Sequence, residues 1–256
     1  MLILLSPAKS LDFETPALVK TSSEPVFVEE TAYLSQLAAH LSVADLQKLM
    51  SISANLAQLN FERFASMRDS KDTMPTRQAV FLFDGDVYDG LLARQLPKKE
   101  VTYLQSHLRI LSGLYGILRP LDQIQAYRLE MGTGLKNSAG SSLYAYWREK
   151  LTAYLQRELL ATKKQCVVNL ASEEYAKAVN LKEIGVPVIH PVFQDYSSGK
   201  YKVISFFAKR ARGAMVRYCA INQLRQPEKL KHFDWEGYQF AQEESTQTHW
   251  VYRRKA

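Results

Sequence analysis

The chain is poor in cysteine and histidine and has no long apolar run. Its 256 residues hold two cysteines, Cys166 and Cys219, far apart. That excludes a disulfide scaffold and a cysteine-based zinc site, and it suits a reducing compartment. The histidines His40, His107, His190, His232 and His249 are scattered and share no ligand spacing. No metal or other cofactor is therefore expected, and iron sequestration ranks last among the functions considered. No apolar stretch approaches the roughly 20 residues that cross a bilayer. The opening Met1-Leu-Ile-Leu-Leu5 has no basic n-region and is stopped by Ser6-Pro7, short of a signal peptide. A cytoplasmic protein with no membrane partner is expected. No repeat, low-complexity tract or Ser/Gly-rich linker interrupts the chain, so residues 1–256 read as one domain. Nothing in the sequence indicates a protein partner.

Positive charge is plentiful. The formal net charge is +7 and the pI about 9.2, a balance that favours an anionic partner, most often nucleic acid. The excess is concentrated. Between Asp195 and Glu228 there is no acidic residue, while Lys200, Lys202, Lys209, Arg210, Arg212, Arg217 and Arg225 all occur. Gly213 interrupts the surface of the helix expected there and permits close approach of another backbone.

Leu2–Leu5 is a short, wholly apolar run, the signature of a strand buried on both faces. It breaks into a turn carrying Lys9 and Asp12, and open α/β sheets place ligands in such loops. Residues 27–67 have helical periodicity, with Ser42 and Ser53 as caps. Ala79–Phe83 reads as a second buried strand, followed by a turn that carries Asp86 and Tyr88 toward a cleft. An amphipathic helix is expected over 142–160 and a third buried strand over 165–172. That strand carries Asn169, which serves either a structural network or a site, and it ends at Ser172, a helix cap. Residues 187–193 and 201–207 read as strands joined by a hairpin, 208–224 as a helix, and the last two strands as an antiparallel pair. Together these imply an α/β fold with a mixed sheet flanked by helices.

The stretch His107–Gly134 sets an apolar run with helical spacing against the turn Gly113 to Gly116, with Arg119 and Arg128 beyond it. The pattern resembles the hairpin of helix-hairpin-helix DNA-binding proteins, in which freed backbone N–H groups meet a phosphate. Pro120 departs from it, following Gly116 too soon for a full second helix. Alternatively, Leu108, Leu111, Leu114 and Leu118 are the buried face of a helix pair and the glycines permit close packing.

Six segments resemble the YaaA family of bacterial peroxide-stress proteins: Leu5-Ser-Pro-Ala-Lys-Ser-Leu-Asp12, Gly85-Asp-Val-Tyr-Asp-Gly-Leu91, Leu111-Ser-Gly-Leu-Tyr-Gly-Ile-Leu-Arg-Pro-Leu-Asp122, Tyr127-Arg-Leu-Glu-Met-Gly132, Asn169-Leu-Ala-Ser172 and Phe207-Ala-Lys-Arg-Ala-Arg-Gly213. The resemblance covers nearly the whole chain. It implies protection against peroxide by limiting iron-linked damage to DNA and protein, and binding of duplex DNA through a basic cleft with a helix-hairpin-helix element. The expected nucleic-acid contacts are Lys9, Gly113, Gly116, Arg119, Arg128, Lys200, Lys202, Lys209, Arg210, Arg212 and Arg217. The resemblance assigns no catalytic residue. The alternative is an enzyme acting on a nucleobase, nucleotide or damaged nucleic acid, with Lys9, Asp86, Tyr88, Asn169 and Ser172 gathered at one sheet edge.

Overall fold

The structure is a computed structural model that describes residues 1–17, 19–68 and 74–255. In chain order, β1 (Leu2–Leu5) and β2 (Ser10–Leu11) lead into α1 (Val28–Ala39), α2 (Val43–Met50) and α3 (Ala54–Arg68). Next come β3 (Thr76–Gln78), α4 (Ala79–Leu82), β4 (Phe83–Asp84), α5 (Asp86–Leu91) and α6 (Lys98–His107). The middle of the chain forms β5 (Leu108–Ser112), β6 (Gly116–Leu118), β7 (Gln123–Gln125), α7 (Leu143–Thr162), β8 (Val167–Leu170) and α8 (Glu173–Ala176). It closes with β9 (Val188–Ser197), β10 (Lys200–Lys202), α9 (Ser205–Ile221), β11 (Gln239–Phe240) and β12 (His249–Arg254).

The expected α/β architecture is present. An eight-stranded mixed sheet runs β11-β12-β9-β8-β1-β5-β6, with β10 paired to β9. Strand β1 lies at its centre, parallel to β5 on one side and β8 on the other. Leu2, Ile3, Leu4 and Leu5 are wholly inaccessible, which explains the unbroken apolar run. Burying each such side chain stabilises the fold by about 1.5–3 kcal/mol. The capping box at Ser42 forms with Asp45, and Ser142 caps α7 through the Ala145 N–H. The hairpin between β9 and β10 turns on Ser198 and Gly199, both with positive φ, as a two-residue type I′ loop requires.

Four expected elements take a different form. The glycine-bounded segment is not a helical hairpin: Leu108–Ser112 and Gly116–Leu118 are antiparallel strands. Leucines at helical spacing gave way to tertiary pairing, because β5 extends the parallel sheet beside β1. Gly116 has φ +69°, the left-handed residue that closes a three-residue hairpin loop. Ala79–Leu82 is a helical turn rather than a strand, with its Ala79 and Val80 N–H groups held by the carbonyls of Asp122 and Pro120. A short buried run does not distinguish the two conformations. The expected turn at Asp86 is the helix α5. Finally, the strand expected over 201–207 stops at Lys202, and the following helix begins at Ser205.

Candidate functional site

The chain leaves β1 toward β5 on one side, and leaves β8 toward β9 on the other. The loops after β1 and β8 therefore diverge and open a crevice between the strands' carboxyl ends, the topological switch point at which open α/β sheets bind ligands. A hollow of about 450 Å³ lies there, lined by Ser6, Lys9, Asp84, Asp86, Glu130, Ser172, Glu174, Lys209 and Arg212 among others.

Its floor is tightly bonded. The Ser6 hydroxyl accepts the Ser172 N–H at 2.8 Å and lies 3.3 Å from the Ser172 hydroxyl, so the two loops are stitched together. Ser172 occupies the cap position of α8 without capping it by its side chain. The buried Tyr88 hydroxyl donates to the Ser6 carbonyl at 3.1 Å. Burial raises the pKa values of Tyr88 and Tyr175, so both remain neutral phenols. The loop after β1 is pinned from behind. Asp12 accepts the N–H groups of Glu14 and Thr15 and pairs with Arg94 at 2.9 Å. These bonds, those from Thr15 foremost, hold its carboxyl at about 2.

The charged rim is mostly paired. Lys9 meets Glu130 at 2.8 Å, Arg128 meets the same carboxylate at 3.1 Å, and Lys209 meets Asp86 at 3.2 Å. The Glu174 carboxylate accepts the Gly132 N–H. Arg212 is the exception: it is half-buried, and among the described residues no acceptor reaches it. Burial lowers its pKa below the usual guanidinium value. Arg212 also lines an adjoining hollow of about 620 Å³ with Asn169, His190 and His249.

In that second hollow the Asn169 side-chain oxygen accepts the Ala171 N–H, and its amide nitrogen lies 3.2 Å from His190 Nδ1. The amide therefore donates to Nδ1 and leaves the proton of a neutral His190 on Nε2. Burial first, and the stacked His249 second, lower the His190 pKa.

The fold thus brings together Lys9, Asp86, Ser172, Lys209 and Arg212 from the residues singled out in sequence, with Tyr88 beneath them and Asn169 next door. The others lie apart. Gly113 and Gly116 are buried: a Cβ on Gly113 would meet the Leu129 carbonyl oxygen at 2.2 Å, and one on Gly116 the Trp147 ring at 2.6 Å. Arg119 is bonded to Asp122, which is fully buried, and to the Glu24 carbonyl. Arg210 lies 3.8 Å from Glu236 and against the rings of Phe206 and Trp235. Arg217 donates to the Leu92 carbonyl at the end of α5. Lys200 and Lys202 are exposed on β10. Sequence reasoning missed Ser6, Glu130 and Glu174. Glu130 sits inside a quoted motif beside Arg128, but its role emerges only where Lys9, distant in the chain, joins Arg128 at its carboxylate. Among the described residues no cluster of three or more His, Cys, Asp or Glu side chains suits a metal ion, and no helix is long and apolar enough to cross a membrane.

The sequence profile described as peroxide stress protein YaaA matches residues 1–244. Curated relatives extend over the same length. A UPF0246 protein of Ralstonia nicotianae is 51% identical over 256 residues, covering all of both chains. UPF0246 proteins of Dechloromonas aromatica and Janthinobacterium sp. are 50% and 49% identical, each covering 100% of this chain and 99% of the relative. The chain belongs to the peroxide stress protein YaaA family.

Proposed function

We propose that this protein acts in the cytoplasm during peroxide stress by binding duplex DNA through its phosphates, with little sequence preference, and so limits iron-linked damage to DNA and protein. The observation that carries it is a set of cations without carboxylate partners at one end of the parallel strands. The β9–β10 hairpin and the loops after β1 and β8 all leave the same, carboxyl-terminal edge of the parallel strands. Lys200 and Lys202 on β10 and Arg212 on α9, which no carboxylate engages among the described residues, belong to elements at that end of the strands, and this supports contact with one extended anionic partner. Phosphate contacts of this kind position a duplex without reading its bases.

The buried glycines and the internally bonded Arg119 do not take part. The contact set narrows to the β10 lysines and Arg212, with Lys9 and Lys209 free to exchange their surface partners, since exposed ion pairs contribute little. Duplexes of unrelated sequence should bind with equal affinity at equal salt; strong preference for one sequence would contradict the proposal. Cells lacking the protein should accumulate DNA breaks under peroxide, and an iron chelator should remove the difference.

A second function is favoured by the convergence of Lys9, Asp86, Ser172 and Arg212 in one switch-point crevice: an enzyme acting on a nucleobase, nucleotide or damaged nucleic acid.

A further inference from the structure

Arg212 is held in an unusual setting for an arginine. On α9, Lys209 is engaged by Asp86, Arg210 by Glu236 and Arg217 by the Leu91 and Leu92 carbonyls. Arg212 extends from the same helix into the space where the two hollows meet, and both are lined by it. Small residues Ala211 and Gly213 flank it and are buried. A guanidinium taken partly out of water without an acceptor loses hydration and gains nothing within the protein. Carboxylates are close at hand on the rim, yet they pair with Lys9, Arg128 and Lys209 instead.

We infer that Arg212 anchors the phosphate of a phosphorylated nucleoside, free or at the end of a nucleic-acid strand, whose sugar and base occupy the strand-end crevice. This rests on the second function above, that the crevice takes a ligand. Three features select the class. The guanidinium fork matches a phosphate with two parallel bonds. The crevice beside it presents acceptors, the carboxylates of Asp84, Asp86, Glu130 and Glu174 and the hydroxyls of Ser6 and Ser172, and these suit the hydroxyl and amino groups of a nucleoside rather than a bare anion. The hollows, about 450 Å³ and about 620 Å³, are of the size that holds small organic ligands. On the far side of Arg212, His190 offers a neutral ring whose Nε2 proton is fixed by Asn169, a further donor for the phosphate or for a base carbonyl.

The test uses the full-length protein, titrated with adenosine monophosphate, cytidine monophosphate and inorganic phosphate, and with a short single strand bearing either a terminal phosphate or a terminal hydroxyl. Binding is read by calorimetry and by the shift in Tm. The monophosphates should raise Tm and bind at least about tenfold more tightly than inorganic phosphate, the worth of one or two added hydrogen bonds. Arg212→Met should weaken that binding by about 10- to 100-fold, as expected for a charge-assisted bidentate contact. Arg212→Lys should fall between. Without ligand, Arg212→Met should melt at or above the wild-type temperature, because a desolvated charge has been removed from a site built for function. A preference for the phosphorylated strand over free nucleotide assigns the source to strand ends, and the reverse assigns it to the free pool; either supports the inference. Absence of binding by nucleotide and strand alike overturns it, as does inorganic phosphate binding as tightly as nucleotide. An Arg212→Met protein that melts below wild type or fails to fold marks the guanidinium as structural. Unchanged affinity in Arg212→Lys also counts against the fork. The outcome is separable from duplex binding, which Lys200 and Lys202 report through its salt dependence.

Discussion

Gly90 on α5 and Gly213 on α9 face each other with no side chain between them. A methyl on Gly213 would sit 1.7 Å from the Val87 carbonyl oxygen, and one on Gly90 2.0 Å from that of Arg210. The two helices touch backbone to backbone, and this contact carries Lys209 to Asp86 and Arg212 to the crevice. Gly213→Ala must push α9 away. A loss of about 1–3 kcal/mol of stability is expected, the usual cost of overpacking, with loss of any ligand binding at the crevice. Urea unfolding checks it, and a wild-type midpoint would show that the helices separate freely.

The glycine hairpin is a packing device. Trp147 donates its indole N–H to the Gly113 carbonyl at 2.9 Å and covers Gly116. Gly116→Val should therefore lower Tm sharply, since a β-branched residue resists positive φ and would collide with the indole.

Arg119 makes a distinct case, because removing it leaves the buried Asp122 carboxylate with only the Ser23 hydroxyl at 2.6 Å and the Arg119 backbone N–H at 2.8 Å. Arg119→Met should cost several kcal/mol, about 3 where a buried pair is broken, and leave the salt dependence of DNA binding unchanged. A lowered salt slope in a stable variant would return Arg119 to the interface.

Acid should weaken the fold in two windows. Desolvation lowers the pKa values of His107 and His190 below 6.5. The unfolded chain therefore binds more protons, and stability falls as pH drops from about 7 through the folded-state values. Asp12, held at about 2 against 3.8 when unfolded, adds a second loss as pH falls from about 4 through about 2. Urea midpoints across this range should decline in both windows, and His190→Gln should flatten the first. A flat profile between pH 7 and pH 5, roughly, would mean that neither imidazole is held neutral.

The elements that announced themselves in sequence were those whose local pattern and tertiary role agree. Leu2–Leu5 is apolar at every position and forms a strand buried on both faces, so its pattern and its tertiary role coincide. Ser42 with Asp45 is a local hydrogen-bond device visible at short range. The segment around Gly113 misled because its leucines satisfy a helical period, while the deciding interaction, the parallel pairing of Leu108, Arg109 and Ile110 with β1, lies about a hundred residues away in the chain. The same distance explains the site. Lys9 and Ser172 were visible as residues at strand ends, and the crevice was foreseeable from them. That Glu130 would meet Lys9 as well as its neighbour Arg128, and that Arg212 would be left without an acceptor, depends on which loops the sheet order brings together.

The most direct measurement for the proposed function is the affinity for duplex DNA across a salt series, for the wild type and for Lys200→Gln/Lys202→Gln. The wild type should show log K falling linearly with log salt. The double variant should keep the wild-type Tm and lose about 1.8 from the magnitude of the slope, about 0.9 for each phosphate contact removed. Binding that is absent at low salt, insensitive to salt, or unchanged in slope when both lysines are gone would contradict duplex binding through the carboxyl-terminal edge of the sheet.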